Sequence, residues 1–575
     1  MTTIENLREG YRSGKTTPVR VIEEVYSRIR SEGERPVWIS LVNEKDAVQR
    51  AASIDVRLPL GGVPFAVKDN FDVAGMATTA GCPSFAYEPD HSAFVVQRLI
   101  DAGAILIGKT NMDQFATGLV GVRSPYGACS SVYDSRYISG GSSSGSAVAV
   151  AKGLCAFSLG TDTAGSGRVP AAFNNLIGLK PSRGLLSASG VVPACRSLDC
   201  VSIFARTAAD AETIWKAAKG FDAGDPYSRA FPPGAAAAPW LTGAFRFGVP
   251  EESQLKFFGD SETPLLFRKA IEKLESMGGT AVTIDYSVFR EAAELLYAGP
   301  WVAERFAAVG EFLQMHSEGV NEIVKNIILG GMKYSAADAY KSAYQLEALK
   351  QRAAAQWSEM DIMLLPTAGT IYRLEAVLAD PVRSNSNLGF YTNFVNLMDL
   401  AAIAVPAGFR RDGLPFGVSF IGPAFTDGAL LQLSGRYLGE IAKADTAPGC
   451  VPVAVAGAHL TGQPLNYQLT DRGARLIRTC RTSPEYRLYA LETTPPKPGL
   501  VRDPEFSGSG IEVEVWAIPE NTFGSFVAAI PAPLGIGSIT LEDGSVLKGF
   551  ICEQAGLASA QEITRFGGWR NYLKN

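Results

Sequence analysis

The 575-residue chain is 46% apolar and 19% charged, a balance that excludes a disordered or highly charged solvating protein and supplies material for several domains. Its formal net charge of −5, with no run of like charges, leaves no electrostatic footprint for nucleic acid. Mean hydropathy is +0.07, yet the apolar stretch 147–160 contains Lys152 and Gly153, and no run reaches the ~18 apolar residues of a membrane span. The N-terminus carries acids early and has no apolar core, so no signal peptide is expected and the chain reads as cytoplasmic.

In chain order, the first thirty residues read as amphipathic helix, with Ile4, Leu7 and Tyr11 and then Ile22, Val25 and Ile29 at helical spacing; Pro18 divides the stretch in two. From Gly61 short apolar runs alternate with helical stretches. VPFAV (63–67), AILIG (104–108) and CAFSLG (155–160) read as buried strands, and AFVVQRLIDAG (93–103) as a helix ending at glycine. This alternation predicts an α/β unit, a mixed central sheet covered by helices. FPPGAAAAP (231–239) reads as a loop or linker before a strand, FRFGVP. Helices dominate from about 262 to 357, one opening on the capping pattern Ser335 and Asp338, and IMLLPTA (362–368) returns to the sheet. We divide the chain into residues 1–440, a linker 441–452, and a small α+β domain 453–575. The last is rich in short β runs and carries an Asp–Gly hairpin signal in LEDGSVL.

The eight cysteines are scattered without a CxxC pair and read as reduced thiols, mostly core fillers. With three histidines, His91, His316 and His459, no metal site is expected, and a Ser–His–Asp triad has few candidates. GAILIGKT (103–110) formally matches a phosphate-binding loop, but its variable positions form a strand where the chemistry needs a loop. More informative is SGGSSSGSAVAVA (139–151), a Gly/Ser run leading into a small-residue helix read as Ser146–Lys152. The alternative is a flexible surface loop. A second cluster, SLGTDTAGSGRVPAAFNNLIGLKPSRG (158–184), sets Ser166 between Gly165 and Gly167, where backbone N–H groups can approach a substrate. Lys68 ends an apolar strand, where desolvation favours the neutral amine. A lysine snorkelling from a strand end is the competing reading. A serine hydroxyl needs a base, and neutral lysine can serve in place of histidine.

These segments, in this order and followed by SLDCVSIFART (197–207), resemble the amidase signature family across roughly residues 20–440. The resemblance implies a Ser–cis-Ser–Lys triad with Ser166 as nucleophile, Ser142 as the bridging serine after a cis peptide, and Lys68 as base. It implies an oxyanion hole from the backbone N–H groups of Thr163, Ala164, Gly165 and Ser166, with Asp162 and Arg168 in support. No cofactor is implied.

Two features narrow the substrate. ELLYAGPWVAERFAAV (294–309) places Tyr297 and Arg305 eight residues apart, within roughly 80° on an unbroken helix, although Gly299–Pro300 lies between them. A surface arginine beside a core tyrosine is the alternative. The segment is similar to allophanate hydrolases, in which this pair holds the substrate carboxylate, a role suited to arginine. Gly118 resembles a position near the substrate, or is a plain turn glycine. The C-terminal domain, with GAHLTGQPLNYQL (457–469), is also similar to theirs; His459 there is either a participant in a second step or a hydrogen-bonded core histidine. The resemblance implies allophanate as substrate, a homodimer, and a link to a separate urea carboxylase. The alternatives are a glutamine-dependent amidotransferase subunit or another small-amide amidase, and, outside enzymes, an idle scaffold.

Overall fold

Threonine caps set the first two helices. Thr3 accepts from the N–H of Asn6 to start Ile4–Arg12, and Thr17 accepts from that of Arg20 to start Pro18–Ser31, where Pro18 takes the first turn and needs no N–H partner. The computed structural model describes residues 3–33, 35–232, 244–316, 318–440, 450–542 and 545–574. The chain divides into two compact units, Met1–Glu440 and Ile441–Asn575. Most of the loop expected at 231–239, the linker up to Gly449, and the Asp543–Gly544 turn lie outside the described residues.

In the first unit the strands are β1 (Trp38–Leu41), β2 (Pro64–Lys68), β3 (Ile105–Thr110), β4 (Phe157–Asp162), β5 (Ile177–Lys180), β6 (Cys200–Ala205), β7 (Phe245–Pro250), β8 (Gly279–Ile284), β9 (Ile362–Pro366), β10 (Leu400–Phe409) and β11 (Pro415–Pro423). Among the described residues they form one sheet in the order β1-β3-β2-β4-β6-β5-β10-β11-β9-β7-β8. It is mixed: β3-β2-β4 and β9-β7-β8 run parallel, and the pairs between and outside them antiparallel. Strands β2, β4, β5, β6 and β9 are buried at every residue, as their continuous apolar runs require of strands covered on both faces. The helix beginning at Ala336 carries the complete capping box of Ser335 and Asp338.

The hydrophobic pattern predicts helices through 262–357, but β8 interrupts them. Nor does it predict β10 and β11, the longest strands of the sheet. Their signal is Asp412–Gly413 between two apolar runs, obscured by Pro406, which sits beside a register shift opposite Gly417.

The second unit holds β12 (Cys450–Val455), β13 (Arg475–Arg481), β14 (Tyr486–Leu491), β15 (Lys497–Arg502), β16 (Glu512–Pro519), β17 (Leu534–Thr540), β18 (Val546–Cys552) and β19 (Gln561–Glu562). They form a sheet β13-β16-β12-β18-β17 and a smaller one, β15-β14-β19. The expected hairpin is β17–β18, paired from Leu534↔Cys552 to Thr540↔Val546. Glu514 of β16 is buried and organises this unit, accepting from Thr461, Trp516 and Arg570.

Among the described residues no helix is long and apolar enough to cross a membrane, and none of the eight cysteines forms a disulfide. Ile403, buried mid-strand in β10, tests the packing of the main sheet. Ile403→Ala is expected to lower the stability of this unit by about 2–5 kcal/mol, read from its urea-unfolding midpoint.

Candidate active site

Because β2 and β4 are parallel neighbours, their C-terminal ends deliver Lys68 and the Thr161–Asp162 pair to one edge of the sheet, where open α/β sheets bind ligands. Lys68 is fully buried, and its Nζ is hydrogen-bonded to Ser142 Oγ (2.8 Å) and Thr161 Oγ1 (2.7 Å). Burial drives its pKa down to about 7. The nearby charges of Asp113, Asp199 and Asp162 oppose that shift, while Arg305 adds to it. Each carboxylate is spent on other donors: Asp113 on the N–H groups of Gly121 and Arg123, and Asp199 on Thr163 Oγ1 and the N–H groups of Ala194 and Cys195.

Ser142 follows a cis Gly141–Ser142 peptide, and its carbonyl accepts from the N–H of Asp113 at 3.1 Å. The Gly/Ser run is no flexible loop; residues 139–150 are buried. A Cβ on Gly141 would lie 2.2 Å from Asp113 Oδ2, and one on Gly145 would lie 2.5 Å from the Val37 carbonyl. Small residues are what permit this close approach. The helix spans Ser144–Ala151, starting two residues before the expected position, and Ser146 Oγ lies 2.8 Å from Thr110 Oγ1 on β3.

The turn carrying Ser166 is wrapped around the buried Asp162. Its Oδ1 accepts from Gly165 N–H (2.8 Å) and Arg168 Nη2 (2.9 Å), and its Oδ2 from Gly167 N–H (3.1 Å) and Arg168 Nε (2.9 Å). Burial alone would raise this carboxyl's pKa, but Arg168, together with the charge of Lys180 and the Gly167 N–H, outweighs it and holds the group below its ordinary value. Gly165, at φ +131°, has no room for a Cβ, which would meet Thr392 Oγ1 at 2.4 Å. Ser166 is 3% exposed, and its Oγ donates to the Gly118 carbonyl at 3.4 Å. Among the described residues no hydrogen bond joins Ser166 to Ser142, so Ser142 meets Lys68 directly and Ser166 does not. The N–H groups of Thr163, Ala164 and Ser166 have no acceptor among the described residues. Gly165 differs from the expectation, because its N–H is already held by Asp162.

Tyr297 and Arg305 sit on two helices, Ser287–Ala298 and Trp301–Met315, broken at Gly299–Pro300. The pair still meets across the break: the guanidinium lies 5.4 Å from the tyrosine ring centre, with Nη2 3.5 Å from the hydroxyl. Arg305 is 1% exposed, and among the described residues no carboxylate pairs with it. Its Nη1 donates to Thr117 Oγ1 at 2.9 Å, and its Nε has no partner among the described residues. Gly118 (φ +155°) packs against Asp113, whose Oδ2 would lie 2.6 Å from a Cβ there.

Sequence reasoning missed Thr117, Asp113, Thr161 and Asp199. The run NMDQFATG gave one signal, polar residues directly after a buried strand, but the partners are distant in sequence. In the second unit His459 is buried, hydrogen-bonded through Nε2 to Gln468 (2.9 Å) and stacked on Phe550. Desolvation lowers its pKa below the ordinary imidazole value. It lines a cavity of 50 Å³ with Gln468 and Lys497.

The Asp162–Arg168 pair is the buried ionic support of the serine turn. Asp162→Asn is expected to cost about 3–5 kcal/mol, seen as a lower urea-unfolding midpoint, because it strands a buried guanidinium.

Residues 20–431 match the family described as Amidase, and residues 451–574 the Allophanate hydrolase C-terminal domain. A urea amidolyase from Lachancea kluyveri is 45% identical over 97% of this chain and 32% of its own length. The selenomethionine-substituted allophanate hydrolase of Kluyveromyces lactis superposes with a TM-score of 0.78 at 43% identity, covering 100% of this chain and 99% of that one. One subunit of the glutamyl-tRNA(Gln) amidotransferase from Deinococcus deserti is 35% identical over 76% of this chain and 96% of its own. The chain spans about a third of the length of the urea amidolyases it matches. With its amidase region followed by an allophanate hydrolase C-terminal domain, the chain belongs to the amidase family and is an amidohydrolase.

Proposed function

We propose that the chain hydrolyses allophanate at its terminal amide by serine catalysis. The observation that carries the substrate is Arg305, a buried guanidinium with no carboxylate partner, beside Tyr297 and next to the segment that meets Ser166. A buried cation with no carboxylate in direct contact is costly, and a substrate carboxylate would complete it with strong charge-assisted bonds. Neutral Lys68 takes a proton from Ser142, which takes one from Ser166 as its Oγ attacks the amide carbonyl. The N–H groups of Thr163, Ala164 and Ser166 receive the developing oxyanion, each such donor being worth about 3–4 kcal/mol. The relay returns the proton to departing ammonia, and water then cleaves the acyl-enzyme to N-carboxycarbamate. That product takes up a proton and loses carbon dioxide to give carbamate, which in turn yields ammonia and carbon dioxide.

In this reading 1–440 is the catalytic domain, joined through 441–452 to the small C-terminal domain, where His459 takes part in handling the first product. The chain works as a cytoplasmic homodimer and is linked in function to urea carboxylation. The two-part organisation supports an allophanate hydrolase over a component of an amidotransferase, since the Deinococcus relative matches 76% of this chain.

The experiment is ammonia release by the purified chain on allophanate, with malonamate, glutamine and an aryl amide alongside. Allophanate is expected to turn over best, and Ser166→Ala to lose about 10⁴- to 10⁶-fold in kcat. Cleavage of glutamine or the aryl amide alone would keep the serine chemistry and overturn the substrate.

The pH profile follows from Lys68, which is protonated and idle below its pKa and neutral above it. On allophanate kcat/KM is therefore expected to rise with pH through a midpoint of about 7. A profile flat across neutral pH would count against Lys68 as the base.

A further inference from the structure

The segment from Asp113 to Arg123 links the two ends of the site through adjacent residues. The Gly118 carbonyl accepts from Ser166 Oγ, and the Thr117 hydroxyl accepts from Arg305 Nη1 at 2.9 Å. That hydroxyl is not free to turn, because it donates in turn to the Phe115 carbonyl at 3.1 Å. The backbone is held in an uncommon shape, with Phe115 and Ala116 at φ +50° and +52°, a cost that proteins retain at functional sites. Arg123 closes the segment on itself by donating to the Thr117 carbonyl at 3.1 Å.

A guanidinium offers a carboxylate two parallel donors along one edge. With Nη1 held by Thr117, the edge left over is Nε and Nη2. Among the described residues Nε is buried without a partner, and Nη2 makes only a long contact to Tyr297. We propose that Thr117 is a specificity-determining positioning residue, whose hydroxyl turns the Nε–Nη2 edge of Arg305 toward the substrate and fixes its distance from Ser166. Amides carrying a carboxylate one atom beyond the scissile carbonyl are thereby selected over neutral amides of the same size. The inference rests on the carboxylate role of Arg305 given above.

The test compares malonamate with malonamide, which differ in that one charge, on full-length wild type, Thr117→Val, Thr117→Ser and Arg305→Gln. Thr117→Val is expected to lower the malonamate-to-malonamide ratio of kcat/KM by roughly 10- to 100-fold, the loss of one hydrogen bond to a charged group. The malonamate loss should fall mainly in KM, and this split reads the same point should malonamide turn over too slowly. Thr117→Ser, which keeps the hydroxyl, should stay close to wild type. Thr117→Ala carries the expectation of Thr117→Val should the added methyl prevent folding. If Arg305→Gln collapses the ratio while Thr117→Val and Thr117→Ala leave it unchanged, or lower kcat equally for both substrates, the inference is overturned and the carboxylate reading stands. If Arg305→Gln leaves the ratio unchanged, the carboxylate reading fails and takes this inference with it.

Discussion

An amine kept out of water, with no salt-bridge partner among the described residues, is the condition on which the site depends. Lys68 ends a strand buried at every residue and meets two hydroxyls, Ser142 and Thr161. Three aspartates lie near enough to influence it, yet each has its oxygens committed elsewhere. A direct carboxylate contact would hold the amine protonated. Desolvation therefore wins, and the aspartates only limit how far the pKa falls.

The packing around that amine explains the composition of the neighbouring segments. At Gly141, Gly145 and Gly165 a Cβ would run into a carboxylate, a backbone carbonyl and a threonine hydroxyl, all within 2.5 Å. The glycines and serines let a helix and two turns close on the ends of β2 and β4. Their number reflects proximity of backbone to backbone, as in other close-packed interiors, and not mobility.

Two buried arginines show how the same side chain is used in opposite ways. Arg168 is paired bidentately with Asp162 and, with Gly165 and Gly167, fixes the turn that carries Ser166. Arg305 is equally buried but meets a threonine and a tyrosine, and keeps one edge open. The first pair supports the architecture. The second has no carboxylate in contact among the described residues, so the two are not interchangeable.

The strands β2, β3, β4, β7 and β9, the Pro18 break and the Ser335 cap were all legible in the sequence, because each follows from local periodicity or capping chemistry. The order of the motifs also singled out Lys68, Ser142 and Ser166, of which the structure brings Lys68 against Ser142. The hairpin of β10 and β11 was not legible, since a proline within a strand argues against one unless a register shift accommodates it. Nor was the network around Asp113, Thr117 and Asp199, whose bonds reach residues far along the chain. By itself the sequence determined the segments whose periodicity or capping is local and proposed the side chains to weigh at the site. Only the tertiary structure decided that Lys68 meets Ser142, that Gly165 spends its N–H on Asp162, and that Arg305 stands unpaired against Thr117. Hydrogen bonding and desolvation act through space, and the sequence encodes that proximity only through the complete fold.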